Sequence, residues 1–387
     1  MKNSTHLPFD TIVCFSHLRW DFVYQRPQQL LSRFSKTSAV YFVEEPVFED
    51  IDCDYLSINS RLDQLKVIIP HLRNRLTTLE INTVLSSLLN EFLLNIDIKQ
   101  CLFWYYTPMA LLFSDHHQPK MILYDCMDEL SAFKFAPAEL VSLEKKLLAK
   151  ADLVFTGGQS LYDAKKKQHA NIFSFPSSID KEHFLRARIP GFEASDQIEI
   201  AGPKIGFFGV IDERFDLLLI QAIAEEQPDW QIILIGPVLK IDLHSLPRNK
   251  NIHYLGAKSY ESLPQYISGW DVALIPFQLN ESTRFISPTK TPEYLAAGVP
   301  VVSSAINDVV KPYGVHQLVH ICSTTSSFID AIKSELNKGC KKCWLKKVDL
   351  FLSGTSWDNT CEMMNTRFNN TLSNQKLISV NKLREYV

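Results

Sequence analysis

Short apolar runs that alternate with amphipathic stretches extend along almost the whole of this chain. Runs such as Thr11–Phe15 and Val272–Ile275 are four or five residues long and mostly apolar, which is typical of strands that a parallel sheet buries on both faces. The stretches that separate them, for example Phe215–Glu226, repeat apolar residues with the period of a helix. This alternation predicts an α/β fold in which helices connect the strands of parallel sheets.

Length and a change in composition divide the chain. Its 387 residues are about two to three times the usual domain size. Strand-like runs lie on both sides of residues 179–201, a segment rich in charge, Pro and Gly without periodicity. We therefore expect two doubly wound, Rossmann-like domains at residues 1–182 and 183–355, and a C-terminal helix with a tail at residues 356–387. Because ligands bind at the carboxyl ends of parallel strands, the loops of both domains can face one cleft.

The charge balance excludes some partners. The 40 basic and 43 acidic residues give a formal net charge of −3, so no global field attracts nucleic acid. The lysine clusters at residues 165–167 and 341–347 are either solvated helix faces or surfaces attracted to an anionic membrane. No run approaches the roughly 20 apolar residues of a membrane span, and residues 1–8 lack the apolar core of a signal peptide. We expect a cytoplasmic protein, and the lysines allow peripheral contact with the inner membrane surface.

The cysteines do not indicate a metal site. Cys340 and Cys343 form one C-x-x-C pair, and neither a second pair nor nearby histidines follow, as zinc would need. Others, such as Cys14, lie in apolar runs, where a thiol behaves as a small hydrophobe. We expect no metal ion and no bound cofactor.

The segment Ser287–Ser303 predicts a short helix followed by a buried strand. Pro288 suits the entry to the helix and Gly298 suits its left-handed end. Lys290 and Glu293 then lie on one face of the first turn, where free N–H groups and the helix dipole favour anions. A lysine there can bind a phosphate, and a glutamate can accept hydrogen bonds from ribose or sugar hydroxyls. The segment therefore predicts a nucleotide-sugar site.

The residues that lead into this helix belong to the same candidate site. Ser287, Pro288 and Thr289 precede the first turn, and the backbone here can reach the phosphates. The alternative for Glu293 is a structural role, as a first-turn carboxylate that stabilises the helix dipole by about 0.3–1 kcal/mol.

Two further strand ends in the second half carry residues suited to a nucleotide. Gly209 lets the backbone approach a ligand closely, and Arg214 can make a forked contact with a diphosphate. Gly236 and Pro237 end the next strand, where they can pack beside the nucleotide. Ordinary strand-to-helix turns with a surface arginine are the alternative. If both cations meet the diphosphate, Arg214 and Lys290 stabilise the departing nucleoside diphosphate without a metal ion.

The first half offers candidates for the acceptor. Asp128 follows the strand that ends near Tyr124, and it can face the acceptor hydroxyl or the reacting sugar as a base. A helix N-cap is the alternative for this aspartate. Aromatic, amide and charged side chains after the first strand suit a sugar, and so does an aromatic strand end, which gives the set Trp20, Asp21, Tyr24, Gln25, Arg26 and Tyr106. The alternatives are a scaffold role for Arg26, through Glu44 or Glu45, and ordinary core for Tyr106.

Several of these residues carry a family resemblance. Lys290, Glu293, Ala296–Gly298 and Pro300–Val302 resemble the donor-site segment of GT-B-fold glycosyltransferases, in particular the large retaining family 4, also called glycosyl transferases group 1. Phe15–Leu30 resembles the first strand, loop and helix of a bacterial subgroup that acts in capsule, teichuronic acid or galactofuranose-containing glycan synthesis.

The resemblance implies a GT-B architecture, with the donor bound by the C-terminal domain and the acceptor by the N-terminal domain. It implies that the last helix crosses back onto the first domain and that the Arg214 loop supplies a basic group to the donor phosphates. The family pattern also places a glutamate eight residues before Glu293, where this chain has Phe285. Because Phe285 replaces that glutamate, the resemblance does not imply how this chain contacts the donor hexose, nor that the reaction retains the anomeric configuration.

Residues and resemblance together predict a metal-independent glycosyltransferase of the hexosyltransferase type. It moves a sugar from a nucleotide-sugar donor, with a UDP-sugar favoured, to a carbohydrate or lipid-linked acceptor in cell-surface polysaccharide or glycan synthesis. One alternative is a GT-B-fold nucleotide-sugar epimerase, which turns over its donor alone. Another is a degenerate transferase that binds a sugar nucleotide or glycan without catalysis.

Overall fold

The computed structural model describes residues 7–385, with side chains described as far as residue 377. The expectations for residues 1–6 and for the last two residues of the tail lie outside this range. The chain forms two compact units. The first runs to Pro176 and resumes at Trp357, and the second comprises Ser177–Ser356.

The first unit is built on a mostly parallel sheet. Its strands are β1 (Thr11–Phe15), β2 (Ala39–Val43), β3 (Val47–Glu49), β4 (Tyr55–Leu62), β5 (Leu65–Arg73), β6 (Cys101–Tyr105), β7 (Met121–Cys126), β8 (Leu153–Thr156) and β9 (Ile172–Ser174). Its helices up to residue 176 are α1 (Arg26–Phe34), α2 (Thr78–Leu93), α3 (Leu111–Ser114), α4 (Leu140–Lys150) and α5 (Gln159–Lys165).

The parallel strands follow the order β5–β2–β1–β6–β7–β8–β9. Thr11 of β1 pairs with Ala39 on one side and Cys101 on the other, so the strand order reverses at β1. This doubly wound order confirms the predicted fold class for this unit. β3 pairs in parallel with the second half of β5, and β4 pairs antiparallel with β5.

The second unit is built on an entirely parallel sheet with the order β12–β11–β10–β13–β14–β15. Its strands are β10 (Lys204–Phe208), β11 (Gln231–Ile235), β12 (Ile252–Gly256), β13 (Val272–Ile275), β14 (Val301–Ser304) and β15 (Val319–Cys322). Its helices are α6 (Lys181–Leu185), α7 (Ser195–Ile198), α8 (Leu217–Glu226), α9 (Leu263–Ile267), α10 (Lys290–Ala297), α11 (Asn307–Val309), α12 (Thr325–Leu336) and α13 (Lys342–Phe351). The order reverses between β10 and β13, which is where open parallel sheets bind ligands.

Helix α10 ends as its sequence predicts. Gly298 adopts φ of 82°, the left-handed conformation that glycine takes at a helix end without strain, and its N–H contacts the Leu295 carbonyl. Strand β14 then begins at Val301, because Pro300 has no N–H to donate to a sheet.

The last helix, α14 (Trp357–Glu385), belongs to the first unit. Trp357 and Phe368 are buried in the core of that unit, where the Phe368 ring meets Phe9 at a centroid distance of 5.6 Å. Arg33 of α1 pairs with Asp358 at 3.1 Å. Buried aromatic contacts of this kind account for most of the energy that holds a helix to a core.

The division between the units falls at Pro176, a few residues before the position expected from composition. Ile179 and Phe184 are fully buried in the core of the second unit, so the segment that contains them belongs there. Within residues 7–385, no helix is both long and apolar enough to cross a membrane.

Candidate functional site

Lys290 lies against a glycine at the centre of the candidate site. Its ammonium Nζ is 5.6 Å from the centroid of the Phe207 ring and 5.8 Å from that of Phe277. A Cβ built on Gly209 would lie 2.2 Å from Lys290 Cε and 2.6 Å from Nζ. The first residue of α10 therefore packs directly on the backbone that follows β10.

A second glycine brings the loop after β11 to the same place. A Cβ on Gly236 would lie 1.9 Å from the Gly209 carbonyl oxygen, and the two glycines have φ of 139° and 137°. Ile211 N–H also donates to the Pro237 carbonyl at 3.0 Å. Only glycine tolerates both this backbone conformation and this close approach. Gly209, Gly236, Pro237 and Lys290 thus form one surface, which we call the glycine–lysine surface.

The helix is fixed at the point where the sheet opens. β10 and β13 pair only through Ile205–Val272 and Gly206–Ala273. Beyond these pairs, the N–H of Phe208 donates to the hydroxyl of Tyr294 at 3.0 Å. Tyr294 of α10 replaces the missing strand partner, so the first turn of α10 is held at the carboxyl end of β10.

Glu293 is buried beside Lys290 on the first turn. Its side chain is 7% exposed, and within the described part of the chain its Oε2 has no hydrogen-bond partner. Burial raises the pKa of Glu293 to about 8, although the positive charge of Lys290 acts in the opposite direction. A buried carboxyl oxygen without a donor is costly, and a ligand hydroxyl placed here would satisfy it.

The segment before α10 is also held within the second unit. Pro288 is buried, Ser287 and Thr289 are half-buried, and the Ser287 carbonyl accepts a hydrogen bond from Ser177 Oγ at 3.3 Å. The Pro288 carbonyl accepts from the N–H of Thr291 at 3.2 Å, which starts the helix.

Arg214 is held by its neighbour along the loop. Its Nε lies 3.0 Å and its Nη2 2.6 Å from the carboxylate oxygens of Asp212. Its carbonyl accepts from the N–H of Gln278 at 2.8 Å, which places the backbone of Arg214 beside the segment after β13. The edge of the guanidinium that we expect to bind a diphosphate is hydrogen-bonded to Asp212 in this structure. Binding of the donor phosphates by Arg214 therefore stays a prediction.

In the first unit, the structure corrects the expected role of Arg26. This side chain is 2% exposed and makes a forked contact with Asp125, at 3.1 and 2.9 Å, and a hydrogen bond of 2.7 Å to the Phe175 carbonyl. It therefore joins α1 to the ends of β7 and β9, with no surface for an acceptor. The scaffold alternative named Glu44, but that carboxylate pairs with Arg19, at 2.9 Å.

Two aromatic acceptor candidates also belong to the core. Tyr106 is 1% exposed and packs near Trp104 at a ring distance of 5.9 Å. Trp20 is 8% exposed and packs edge-on against Phe42 at 5.0 Å. Large rings at the ends of buried strands complete the core here, so neither side chain offers a sugar a stacking face.

The remaining acceptor candidates lie at the surface. Asp21 is exposed and pairs with Arg61 at 3.0 Å, Tyr24 is 39% exposed, and Gln25 is half-buried. Asp128 is half-buried in the loop after β7, and its carbonyl lies 3.5 Å from Cys126 Sγ. These four residues stay predictions for the acceptor side.

Two residues that order the loops and helix starts are not predicted from the sequence. Tyr294 has the sequence context of a core residue, so its role in fixing α10 is not predicted. Glu44 was considered only as a partner for Arg26, yet it accepts from the Trp20 N–H at 2.7 Å and from Arg19, which orders the loop after β1. A carboxylate directly after a buried strand was the available signal.

Comparison with known proteins agrees with this geometry. Residues 202–338, which include the glycine–lysine surface, match the family model described as Glycosyl transferases group 1. The match covers most of the second unit. The first unit lies outside that match.

A relative among curated sequences extends the likeness. TuaH of Bacillus subtilis (strain 168), assigned as a teichuronic acid biosynthesis glycosyltransferase, is 25% identical over 237 residues, or 56% of this chain. The aligned part spans only 59% of TuaH.

Solved structures resemble both units together. Sucrose-phosphate synthase from Thermosynechococcus elongatus matches with a TM-score of 0.70 and 13% identity, covering 94% of this chain and 99% of that one. A trehalose-6-phosphate structure from E. coli, bound with UDP-2-fluoro glucose, matches with a TM-score of 0.64 and 12% identity, covering 95% and 98%. The chain has the GT-B fold, as the resemblance implied, and the group 1 match lies in its second unit.

Proposed function

We propose that this protein is a glycosyltransferase that moves a sugar from a nucleotide-sugar donor to a carbohydrate or lipid-linked acceptor in cell-surface polysaccharide or glycan synthesis. The second unit, which contains the group 1 match, binds the donor, and the first unit binds the acceptor. One observation carries this proposal above the others. The Lys290 ammonium packs on the Gly209 backbone, one helical turn from the buried carboxyl of Glu293.

The glycine–lysine surface has the chemistry that a nucleoside diphosphate needs. Two glycines leave the backbone bare for close approach, the first turn of α10 offers its N–H groups, and Lys290 supplies a positive charge. Charge develops on the diphosphate as the glycosidic bond breaks. A cation already fixed at that position typically contributes several kcal/mol of transition-state stabilisation. We propose that the reaction therefore needs no metal ion or bound cofactor.

We propose a UDP-sugar as the donor. The E. coli structure with this fold was solved with UDP-2-fluoro glucose, which supports a uracil nucleotide. Glu293 fits the ribose or sugar hydroxyls, because a buried carboxyl lacking a donor gains most from a hydroxyl hydrogen bond.

A screen of nucleotide sugars tests this function. Thermal unfolding is followed with UDP-, ADP- and GDP-linked sugars and with the free nucleosides. Release of UDP is then measured with the donor that stabilises most. We expect stabilisation by UDP-sugars and slow UDP release into water. Stabilisation by none of the nucleotides would overturn the proposal, and conversion of the donor to its epimer without UDP release would indicate an epimerase. Tight binding without any turnover would indicate a binding protein.

We also propose a cytoplasmic location with peripheral contact at the inner membrane surface. Lys342, Lys346 and Lys347 are exposed on α13, and the acidic residue of that helix, Asp349, is held by Arg188 at 2.8 Å. Positive charge that is not locally neutralised is attracted to anionic lipids by about 1 kcal/mol per lysine.

Vesicle sedimentation tests this contact. We expect the protein to bind vesicles that contain about 30% phosphatidylglycerol and not vesicles of pure phosphatidylcholine. Binding should be lost when the three lysines are replaced by Gln. Equal sedimentation of the wild type with both vesicle types would refute it.

A further inference from the structure

A buried ionic cluster lies beneath the loop that carries Asp128 in the first unit. Lys165, the last residue of α5, is 4% exposed, and its Nζ lies 2.8 Å from Glu129 Oε2 and 2.8 Å from Glu144 Oε1. Tyr124 of β7 donates its hydroxyl to the same Glu144 oxygen at 2.7 Å. We call these residues the Lys165 cluster. It joins α4, α5 and β7 to the loop after β7.

The lysine in this cluster stays charged. Burial acts to lower the pKa of Lys165, but the neighbouring Cys126 thiol and the Glu144 and Glu129 carboxylates outweigh burial, so the pKa is raised. One ammonium is therefore shared by two carboxylates. An ion pair as buried as this one costs desolvation energy, and a hydrophobic contact would give the fold similar stability. Stability alone does not account for it.

The position of Glu129 suggests what the cluster does. Glu129 belongs to the loop itself, next to Asp128, while Glu144 and Lys165 belong to helices. On the other side, a Cβ on Gly157 would lie 2.5 Å from the Met127 carbonyl oxygen, so the turn after β8 packs tightly on the same loop. Ser131 Oγ donates to Glu129 Oε1 at 2.7 Å and closes the turn. The loop is thus fixed before and after Asp128.

Building on the function proposed above, we propose that Glu129, through its ion pair with Lys165, is a positioning residue that holds Asp128 in place for sugar transfer. Glu129 belongs to the first unit, whereas we propose that the donor binds to the second. Its removal should slow turnover and leave donor affinity unchanged. A misplaced group lowers the rate because transfer requires the reacting atoms to be aligned within a few tenths of an ångström.

Glu129→Ala is the informative variant, because it frees the loop while Lys165 keeps its pair with Glu144. Glu129→Gln retains a hydrogen-bond acceptor for Lys165, so it should keep part of the loop order and turnover that Glu129→Ala loses. Asp163→Ala is the matched control, since it breaks an exposed ion pair at the end of the same helix, Lys166–Asp163 at 2.8 Å, and leaves the Lys165 cluster intact.

Two readouts decide the outcome. In hydrogen exchange, we expect amides 127–130 to exchange about tenfold faster in Glu129→Ala than in the wild type or the control. In UDP release from UDP-glucose, we expect kcat to fall about tenfold with KM changed less than about twofold, and Glu129→Gln to lie between.

Unchanged exchange at these amides, or an unchanged kcat alongside faster exchange, would overturn the positioning role. A rise in KM equal to the loss of rate would point to a general folding defect and would overturn it as well. A wild type that releases no UDP from any nucleotide sugar would instead refute the proposed function, and the exchange comparison would still decide whether Glu129 orders the loop.

Discussion

Replacing Glu293 by Gln should stabilise the protein and weaken its binding of UDP. The carboxyl is 7% exposed, and burial raises its pKa from 4.5 to about 8. Between these pH values the folded protein holds a proton that the unfolded chain has released. Stability therefore falls as pH rises through this window, and it is insensitive to this group below pH 4.5 and above pH 8.

The size of the effect follows from the two pKa values. Each pH unit between 4.5 and 8 removes about 1.4 kcal/mol from the free energy of unfolding, so the cost at pH 7 is about 3 kcal/mol. Gln has nearly the same shape and no charge, so Glu293→Gln should recover most of this amount. For a unit of this size the gain corresponds to a rise in Tm of about 5–10 °C.

Binding should change in the opposite direction. Above pH 8, where Glu293 has lost its proton, a ligand hydroxyl that donates to the carboxylate makes a hydrogen bond about twice as strong as one that donates to an amide. We therefore expect UDP to bind about tenfold more weakly to Glu293→Gln, because the lost 1.4 kcal/mol or so equals a factor of ten. Thermal unfolding between pH 5 and 8 measures the stability, and calorimetric titration with UDP above pH 8, where Glu293 is ionised, measures the affinity.

Thr291 provides the control. Its hydroxyl is fully buried on the same turn and has no hydrogen-bond partner within the described residues. Thr291→Val should therefore raise stability equally at every pH and leave UDP affinity unchanged. A Glu293→Gln variant no more stable than the wild type at pH 7, or one whose advantage does not shrink toward pH 5, would refute the reasoning from burial. Unchanged UDP affinity would remove Glu293 from the donor site.

Two further substitutions test other parts of the account. Gly236→Ala should cost about 2–4 kcal/mol of stability and weaken UDP binding at least tenfold, because its Cβ would lie 1.9 Å from the Gly209 carbonyl oxygen. Gly339→Ala is its control in the same assays, since Gly339 has no positive φ and the described part of the chain places no atom within 4 Å of its Cβ; similar losses in both variants would contradict this reasoning. Asp128→Asn should lower UDP-sugar turnover by about a hundredfold with UDP affinity intact; retained turnover would exclude a role as base.

Much of the fold could be predicted from the chain because buried parallel strands leave unbroken apolar runs. β1 and β13 stand where the sequence places them. β3 and β4 are not predicted, because they lack such an apolar run. Tyr55 and Ile58 of β4 are exposed, and a strand at the edge of a sheet needs no continuous apolar run.

The packing of the proposed donor residues was more predictable than that of the proposed acceptor residues. Lys290 and Gly209 are contributed by a helix start and a strand end of one sheet, so topology alone brings them together. Arg26 finds its partner 99 residues away in Asp125, and no local pattern announces a long-range ion pair of this kind. Nor does a pattern distinguish an aromatic side chain that faces a ligand from one, like Tyr106, that completes the core.

The most direct test of the donor site compares UDP with uridine in the wild type and in Lys290→Met. Met keeps nearly the length and the apolar stem of the side chain, but it removes the ammonium and with it the cation–π contacts to Phe207 and Phe277. We expect UDP to bind at least tenfold more weakly, roughly the 1.5–3 kcal/mol of a charged hydrogen bond, with uridine affinity unchanged. UDP binding as tight as that of the wild type would contradict the assignment of this surface to a nucleoside diphosphate.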